Sequence, residues 1–85
     1  MSVAEIRAQV QAASEQGNEA MGSCEAVKQQ LEAAIGTIAG ATQETSNQLP
    51  GEAMGQWQQA SEKIEEAVAL IQAGQQTAEQ YTSAI

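Results

Sequence analysis

Few side chains in this 85-residue sequence could carry out chemistry. It contains no His and no Asp, and all eleven acidic residues are Glu. General acid–base catalysis near neutral pH usually uses His or a carboxylate held in a pocket, and a nucleophile needs an adjacent base. No Gly-rich phosphate-binding motif is present. We therefore expect no catalytic residues, no cofactor and no enzymatic activity.

A cluster of carboxylates occurs in the run Glu62-Lys63-Ile64-Glu65-Glu66. Glutamates on facing helices can hold a di-iron centre, but that centre also uses Glu-x-x-His motifs. Because the sequence has no His, we interpret the run as a solvated helix surface and expect no metal site.

Cys24 is the only cysteine, so an internal disulfide is excluded. It falls in an apolar repeat, which favours a buried, inert thiol. A disulfide between two chains, or a reactive thiol, is the alternative.

The charge balance excludes several classes of partner. Three basic residues against eleven acidic ones give a net charge of −8, whereas nucleic acids and anionic membranes attract basic surfaces. No apolar run reaches the length of a membrane span. The opening residues Met1–Glu5 lack the basic and apolar regions of a signal peptide, so we expect synthesis in the cytoplasm without Sec-type export.

The elements are marked by one strong break, the Pro- and Gly-containing stretch Thr42–Gly51. Ala, Gln and Glu, which favour helix, dominate on both sides of it. The sequence predicts one domain over residues 1–85, with helix 1 over about 3–41, a loop over 42–50 and helix 2 over about 51–83. Ser2 and Glu5 have the spacing of a capping box at the start of helix 1.

Both predicted helices carry a heptad repeat, with apolar or small residues at alternating steps of three and four, as in coiled coils. In helix 1 the repeat comprises Val3, Ile6, Val10, Ala13, Gly17, Ala20, Cys24, Val27, Leu31, Ala34, Ile38 and Ala41. In helix 2 it comprises Ala53, Trp57, Ala60, Ile64, Ala67, Ile71, Gly74, Ala78, Tyr81 and Ile85. Folding at the loop predicts an all-α, antiparallel two-helix hairpin that places Gly17 near Ala78 and Tyr81 near Ala13.

Further large apolar residues fall beside this repeat. One partner helix cannot cover so wide a stripe, so we expect a second interface, formed when two hairpins pair as a homodimer or heterodimer into a four-helix bundle. Scattered surface residues are the alternative. Trp57 is interpreted as a residue of the hairpin core, an anchor for a partner, or both. The expected interface comprises Met21, Ile35, Met54, Trp57, Val68, Leu70 and Tyr81.

The length, the two predicted helices and the single Trp57 near the loop resemble the WXG family of small type VII secretion substrates. The opening Met1–Arg7 and the segments Ile64–Val68 and Tyr81–Ile85 are similar to the N-terminal hairpins of actinobacterial polymorphic toxins, including deaminase toxins. These resemblances imply a helical hairpin that dimerises, is exported by a type VII route and has a secreted toxin as its partner.

The sequence therefore predicts a non-catalytic helical interaction module, serving type VII secretion as a substrate, adaptor or toxin partner. The alternative is a structural subunit that assembles into a helical oligomer or filament and has no role in secretion.

Overall fold

The structure, a computed structural model, describes all 85 residues as two long α-helices joined by a short loop. Helix α1 spans Val3–Ala41 with 39 residues, and helix α2 spans Leu49–Ala84 with 36 residues. The chain measures 65 × 14 × 14 Å, and a straight helix of 39 residues is about 58 Å long. The two helices therefore lie side by side along almost their full length, which confirms the predicted all-α antiparallel hairpin.

Helix α1 begins with the expected cap. The hydroxyl oxygen of Ser2 accepts a hydrogen bond from the Glu5 backbone N–H at 3.1 Å. The same hydroxyl donates a hydrogen bond to the Glu5 carboxylate at 3.2 Å. One of the backbone donors that the first helical turn leaves without a partner is thereby satisfied. At the other end, the Thr42 hydroxyl donates to the Ile38 carbonyl at 2.6 Å.

Local hydrogen bonds in the loop prepare the start of α2. The side-chain oxygen of Asn47 accepts from the Leu49 N–H at 2.9 Å, and the Asn47 N–H donates to the Thr45 hydroxyl at 3.2 Å. Helix α2 then begins at Leu49, two residues before the predicted start, because Pro50 is tolerated in the first helical turn, where its missing N–H removes no helical hydrogen bond.

The hairpin has almost no interior. No hydrophobic side chain is buried, and the single buried residue is Ser61, which is 6% exposed. Two helices can shield each other on one side only, so the residues between them remain half-buried. Much of the apolar surface of both helices therefore stays in contact with water.

Candidate interaction surface

The two helices meet along a seam of buried and half-buried residues that recurs at steps of three and four. On α1 the seam comprises Val10, Ser14, Gly17, Met21, Cys24, Lys28, Leu31, Ile35 and Ile38. On α2 it comprises Met54, Trp57, Ser61, Ile64, Val68, Ile71, Gln75, Ala78 and Thr82. The heptad period is as predicted, and one of the two seam positions on each helix is the expected one.

At the other expected position of each heptad the outcome is mixed. Half-buried, as expected, are Ile6, Ala34, Ala53, Ala60 and Ala67, whereas the remaining expected residues are exposed: Ala13, Ala20, Val27, Ala41, Gly74 and Tyr81. Met21 and Ile35 lie in the seam, whereas the expected Ala20 is exposed and Val27 is 41% exposed. On α2, Met54 belongs to the seam, alongside the half-buried expected residue Ala53. Burial of Met and Ile removes more apolar area from water than burial of Ala, so the helices turn their larger side chains towards each other.

The register of the helices also differs from the expected alignment. Gly17 lies against the side chain of Gln75 instead of Ala78, and a Cβ atom added at Gly17 would lie 2.8 Å from the Gln75 Cδ. Tyr81, expected in the seam against Ala13, is 49% exposed. The contacts of Gly17 with Gln75 and of Lys28 with Glu65 lie two to three residues from the expected alignment, which is less than one helical turn.

Gln75 is the main polar contact across the seam. Its side-chain amide donates to the Ser14 carbonyl and, at 3.0 Å, to the side-chain oxygen of Asn18. The absence of a side chain at Gly17 leaves the space that this amide occupies. A polar side chain that finds its hydrogen-bond partners in only one alignment of the helices favours that register over shifted registers.

Lys28 introduces a charge into the middle of the seam. Its side chain is 18% exposed, and its ammonium group lies 2.9 Å from the Glu65 carboxylate. The hydrogen bond to Glu65, with the nearby charges of Glu25 and Glu32, raises the pKa of Lys28 above its usual value, while desolvation opposes the rise. The stem of the lysine packs in the seam while its charge is held at the edge.

The two edges of the seam differ in chemistry. We assign Met21 to heptad position a and Cys24 to position d. Each residue that directly follows a d residue is then at position e, and each residue that directly precedes an a residue is at position g. In an antiparallel pair the e positions of both helices share one face and the g positions share the other. The contacts of Asn18 with Gln75 and of Lys28 with Glu65 cross the seam on the e side.

We call the e side the glutamate face. It comprises Gln11, Asn18, Glu25 and Glu32 on α1 and Gln58, Glu65, Gln72 and Glu79 on α2. Near the chain termini it contains a shallow groove of about 580 Å³ whose walls include Arg7, Gln11, Ser14, Gln75 and Glu79. Apart from Ala4, Ala39 and Gly51 at the helix ends, the e positions are polar.

We call the g side the alanine face. It comprises Ile6, Ala13, Ala20, Val27, Ala34 and Ala41 on α1 and Ala53, Ala60, Ala67, Gly74 and Tyr81 on α2. Five of these residues are half-buried at the edge of the seam: Ile6, Ala34, Ala53, Ala60 and Ala67. No charged residue belongs to it. Every glutamate of the two helices lies at position b, e or f, so the side of each helix that borders the alanine face carries no acidic residue.

The seven expected interface residues fall into two groups. Five of them are half-buried in the seam: Met21, Ile35, Met54, Trp57 and Val68. The other two, Leu70 and Tyr81, are 74% and 49% exposed, and both lie on or beside the alanine face. Contact with another protein through any of the seven stays a prediction. The sequence interpretation overlooked the alanine rows as a surface because it had assigned them to the seam.

The structure also shows where the cysteine and the glutamate run of α2 lie. Cys24 is half-buried in the seam with a free thiol. Glu62, Glu65 and Glu66 lie exposed on α2, and no group of three metal-binding side chains is clustered. Lys63 pairs with Glu66 at 3.5 Å in solvent, where such pairs contribute little.

Neither helix contains a stretch long and apolar enough to cross a membrane. Comparison with protein families, curated proteins and solved structures finds no match for this chain. The two faces are therefore distinguished by residue type, burial and contacts alone.

Proposed function

We propose that this chain is a non-catalytic interaction module that pairs with a second helical hairpin to form a four-helix bundle. One observation carries the proposal: the hairpin buries no hydrophobic side chain of its own. Helices that contact one neighbour need apolar residues at two heptad positions, whereas helices in the core of a bundle also have them at e or g. Both helices here have mainly apolar or small residues at d and g, and position a alternates between large apolar residues and polar ones such as Ser14, Lys28 and Gln75.

The exposed area supports the same proposal. The chain exposes 6097 Å², whereas a compact protein of 8.9 kDa exposes about 4,800 Å². The chain thus exposes roughly 1,300 Å² more surface to water than a compact protein of the same mass. A partner that covers this area would stabilise the hairpin at roughly 25 cal/mol per Å² of apolar surface, before the cost of association.

The resemblance to type VII substrates extends the proposal to a role as substrate, adaptor or toxin partner in that export route. The hairpin architecture, the acidity and the position of Trp57 beside the loop support it. Gly55 precedes Trp57 here, whereas the family pattern has Gly two residues after Trp. Export would be tested by comparing a tagged chain in culture medium from hosts with and without a type VII ATPase; equal amounts in both would contradict this role.

The interaction itself is tested by dilution. We expect circular dichroism at about 1 μM to show partial loss of helix and a low melting temperature. A core of this size rarely supplies more than about 3–5 kcal/mol, and this hairpin, which buries no hydrophobic side chain, should fall well below that limit. The helix content and the melting temperature should both rise with protein concentration, or on adding a partner hairpin, since binding stabilises the folded state. A cooperative, concentration-independent transition above about 60 °C would mean that the hairpin needs no partner and would refute the proposal.

A further inference from the structure

We infer that the alanine face is the surface through which the hairpin binds a second copy of itself, leaving the glutamate face free. This inference rests on the proposed function and specifies its surface and its partner. Face-to-face contact would make the two alanine rows of each copy part of a shared core.

Charge distinguishes the two faces as sites of self-association. The chain carries a net charge of −8, so two copies repel each other unless their glutamates are kept apart. Contact through the glutamate face would oppose Glu25, Glu32, Glu65 and Glu79 to the same residues of the other copy. Contact through the alanine face brings no carboxylate into the interface, because every helical glutamate lies at position b, e or f. A basic partner would instead select the glutamate face.

The exposed large apolar residues mark the same side. Apart from Val3 and Leu49, the first residues of the two helices, the exposed large apolar residues within the helices are Val27, Leu70 and Tyr81. Val27 and Tyr81 belong to the alanine face, and Leu70 occupies position c beside it. None lies on the glutamate face. Their position on one side of the hairpin agrees with contact through the alanine face.

The side chains on the alanine face of α2 suit a copy related by two-fold symmetry. They are small at the loop end, where Ala53 and Ala60 lie, and Tyr81 is the one bulky residue at the other end. A two-fold axis perpendicular to the helices reverses this row, so each Tyr81 packs against the alanines of the other copy. Such a contact is self-complementary and closes at two copies.

The available area is sufficient for a stable dimer. Two separate hairpins expose about 12,200 Å², whereas a compact particle of their combined mass exposes about 8,000 Å². Pairing can therefore bury up to about 4,000 Å², within the range of roughly 2,000–5,000 Å² for obligate homodimers. The small side chains of both rows allow the helix backbones of the two copies to approach closely.

The test adds two charges to the alanine face of α1 and, as a matched control, two charges elsewhere on the same helix. The variant Ala20→Glu/Val27→Glu places two carboxylates on the alanine face, and Gln11→Glu/Gln29→Glu places two at positions e and b. Glu favours helix, so both variants keep a helix-forming sequence. Sedimentation velocity from 1 to 500 μM would give the dimer dissociation constant of each, and circular dichroism would report helix content.

We expect the wild type to form a dimer. The dimer dissociation constant should be at least tenfold higher in the alanine-face variant and less than threefold higher in the matched control. An equal or larger effect of the control would overturn the assignment of the face while leaving the proposed function intact. A wild type that stays monomeric at 500 μM, or that grows beyond two copies, would overturn the choice of a second copy as partner. Instability on dilution would then still support pairing with a different hairpin.

Discussion

The ammonium group of Lys28 lies 2.9 Å from the carboxylate of Glu65, across a seam that is otherwise mainly apolar. The two residues come from different helices and are adjacent only in one register. A charged residue at an inward heptad position reduces stability but restricts the alignments that the helices can adopt. Lys28 and Gln75 together therefore specify how α2 lies along α1.

The first prediction concerns the Lys28 ion pair at alkaline pH. Because contact with Glu65 raises the pKa of Lys28 in the folded chain, the pair contributes fully below the unfolded pKa of about 10.4 and is lost as pH rises through the folded value. Urea unfolding of wild type and Lys28→Met from pH 7 to 11.5, at one protein concentration, would measure this. Wild type should lose more stability than the variant above pH ~10.4. Parallel pH profiles would contradict a stabilising pair, and Lys63→Met, which removes an exposed pair, serves as the control.

The second prediction uses two glycines of α1. Nothing lies near a Cβ atom added at Gly22, so Gly22→Ala should stabilise the helix by about 0.8–1 kcal/mol. In Gly17→Ala the new methyl group displaces the Gln75 amide from Ser14 and Asn18. Loss of these hydrogen bonds, at about 1 kcal/mol each, should cancel or reverse the gain. Chemical denaturation of both variants checks the difference; equal stabilisation by the two would show that Gln75 contributes nothing to the register.

A third prediction separates residues of the seam from residues of the surface. Trp57 is half-buried in the seam, so Trp57→Ala should destabilise the hairpin by about 2 kcal/mol, below the 3–5 kcal/mol typical of a fully buried aromatic residue. Leu70 is highly exposed, so Leu70→Ala should change unfolding of the monomer by less than about 0.5 kcal/mol. Thermal unfolding at low protein concentration would compare them, and a larger effect of Leu70 would contradict the placement of the seam.

The fourth prediction concerns ionic strength. Self-association of a chain with a net charge of −8 brings like charges together, and salt screens them with a Debye length of about 8 Å at 0.15 M. Raising NaCl from about 20 to 300 mM should tighten the dimer severalfold, as should acidification towards the isoelectric point of about 4.1. Analytical ultracentrifugation would measure both. Weaker association in salt would indicate instead that opposite charges meet in the interface.

The amino-acid sequence by itself determined that the chain is a helical hairpin. Helix-forming residues flank a single break that ends in Leu49-Pro50-Gly51, and a heptad repeat runs through both flanks. These signals are local, because propensity, capping by Ser2 and helix termination depend on neighbours along the chain. The lack of His and Asp was likewise available from the sequence, and it carries the expectation of no catalysis.

Only the tertiary structure decided which apolar rows face each other. Each helix carries apolar residues at three heptad positions, and either pair of adjacent rows satisfies steps of three and four. The choice depends on side-chain volumes on both helices at once, and it placed Met21 between the helices while Ala20 is exposed. The same non-local packing placed Lys28 in the seam and set Gly17 against Gln75. The alanine rows became a surface for that reason, since the larger side chains had taken the positions between the helices.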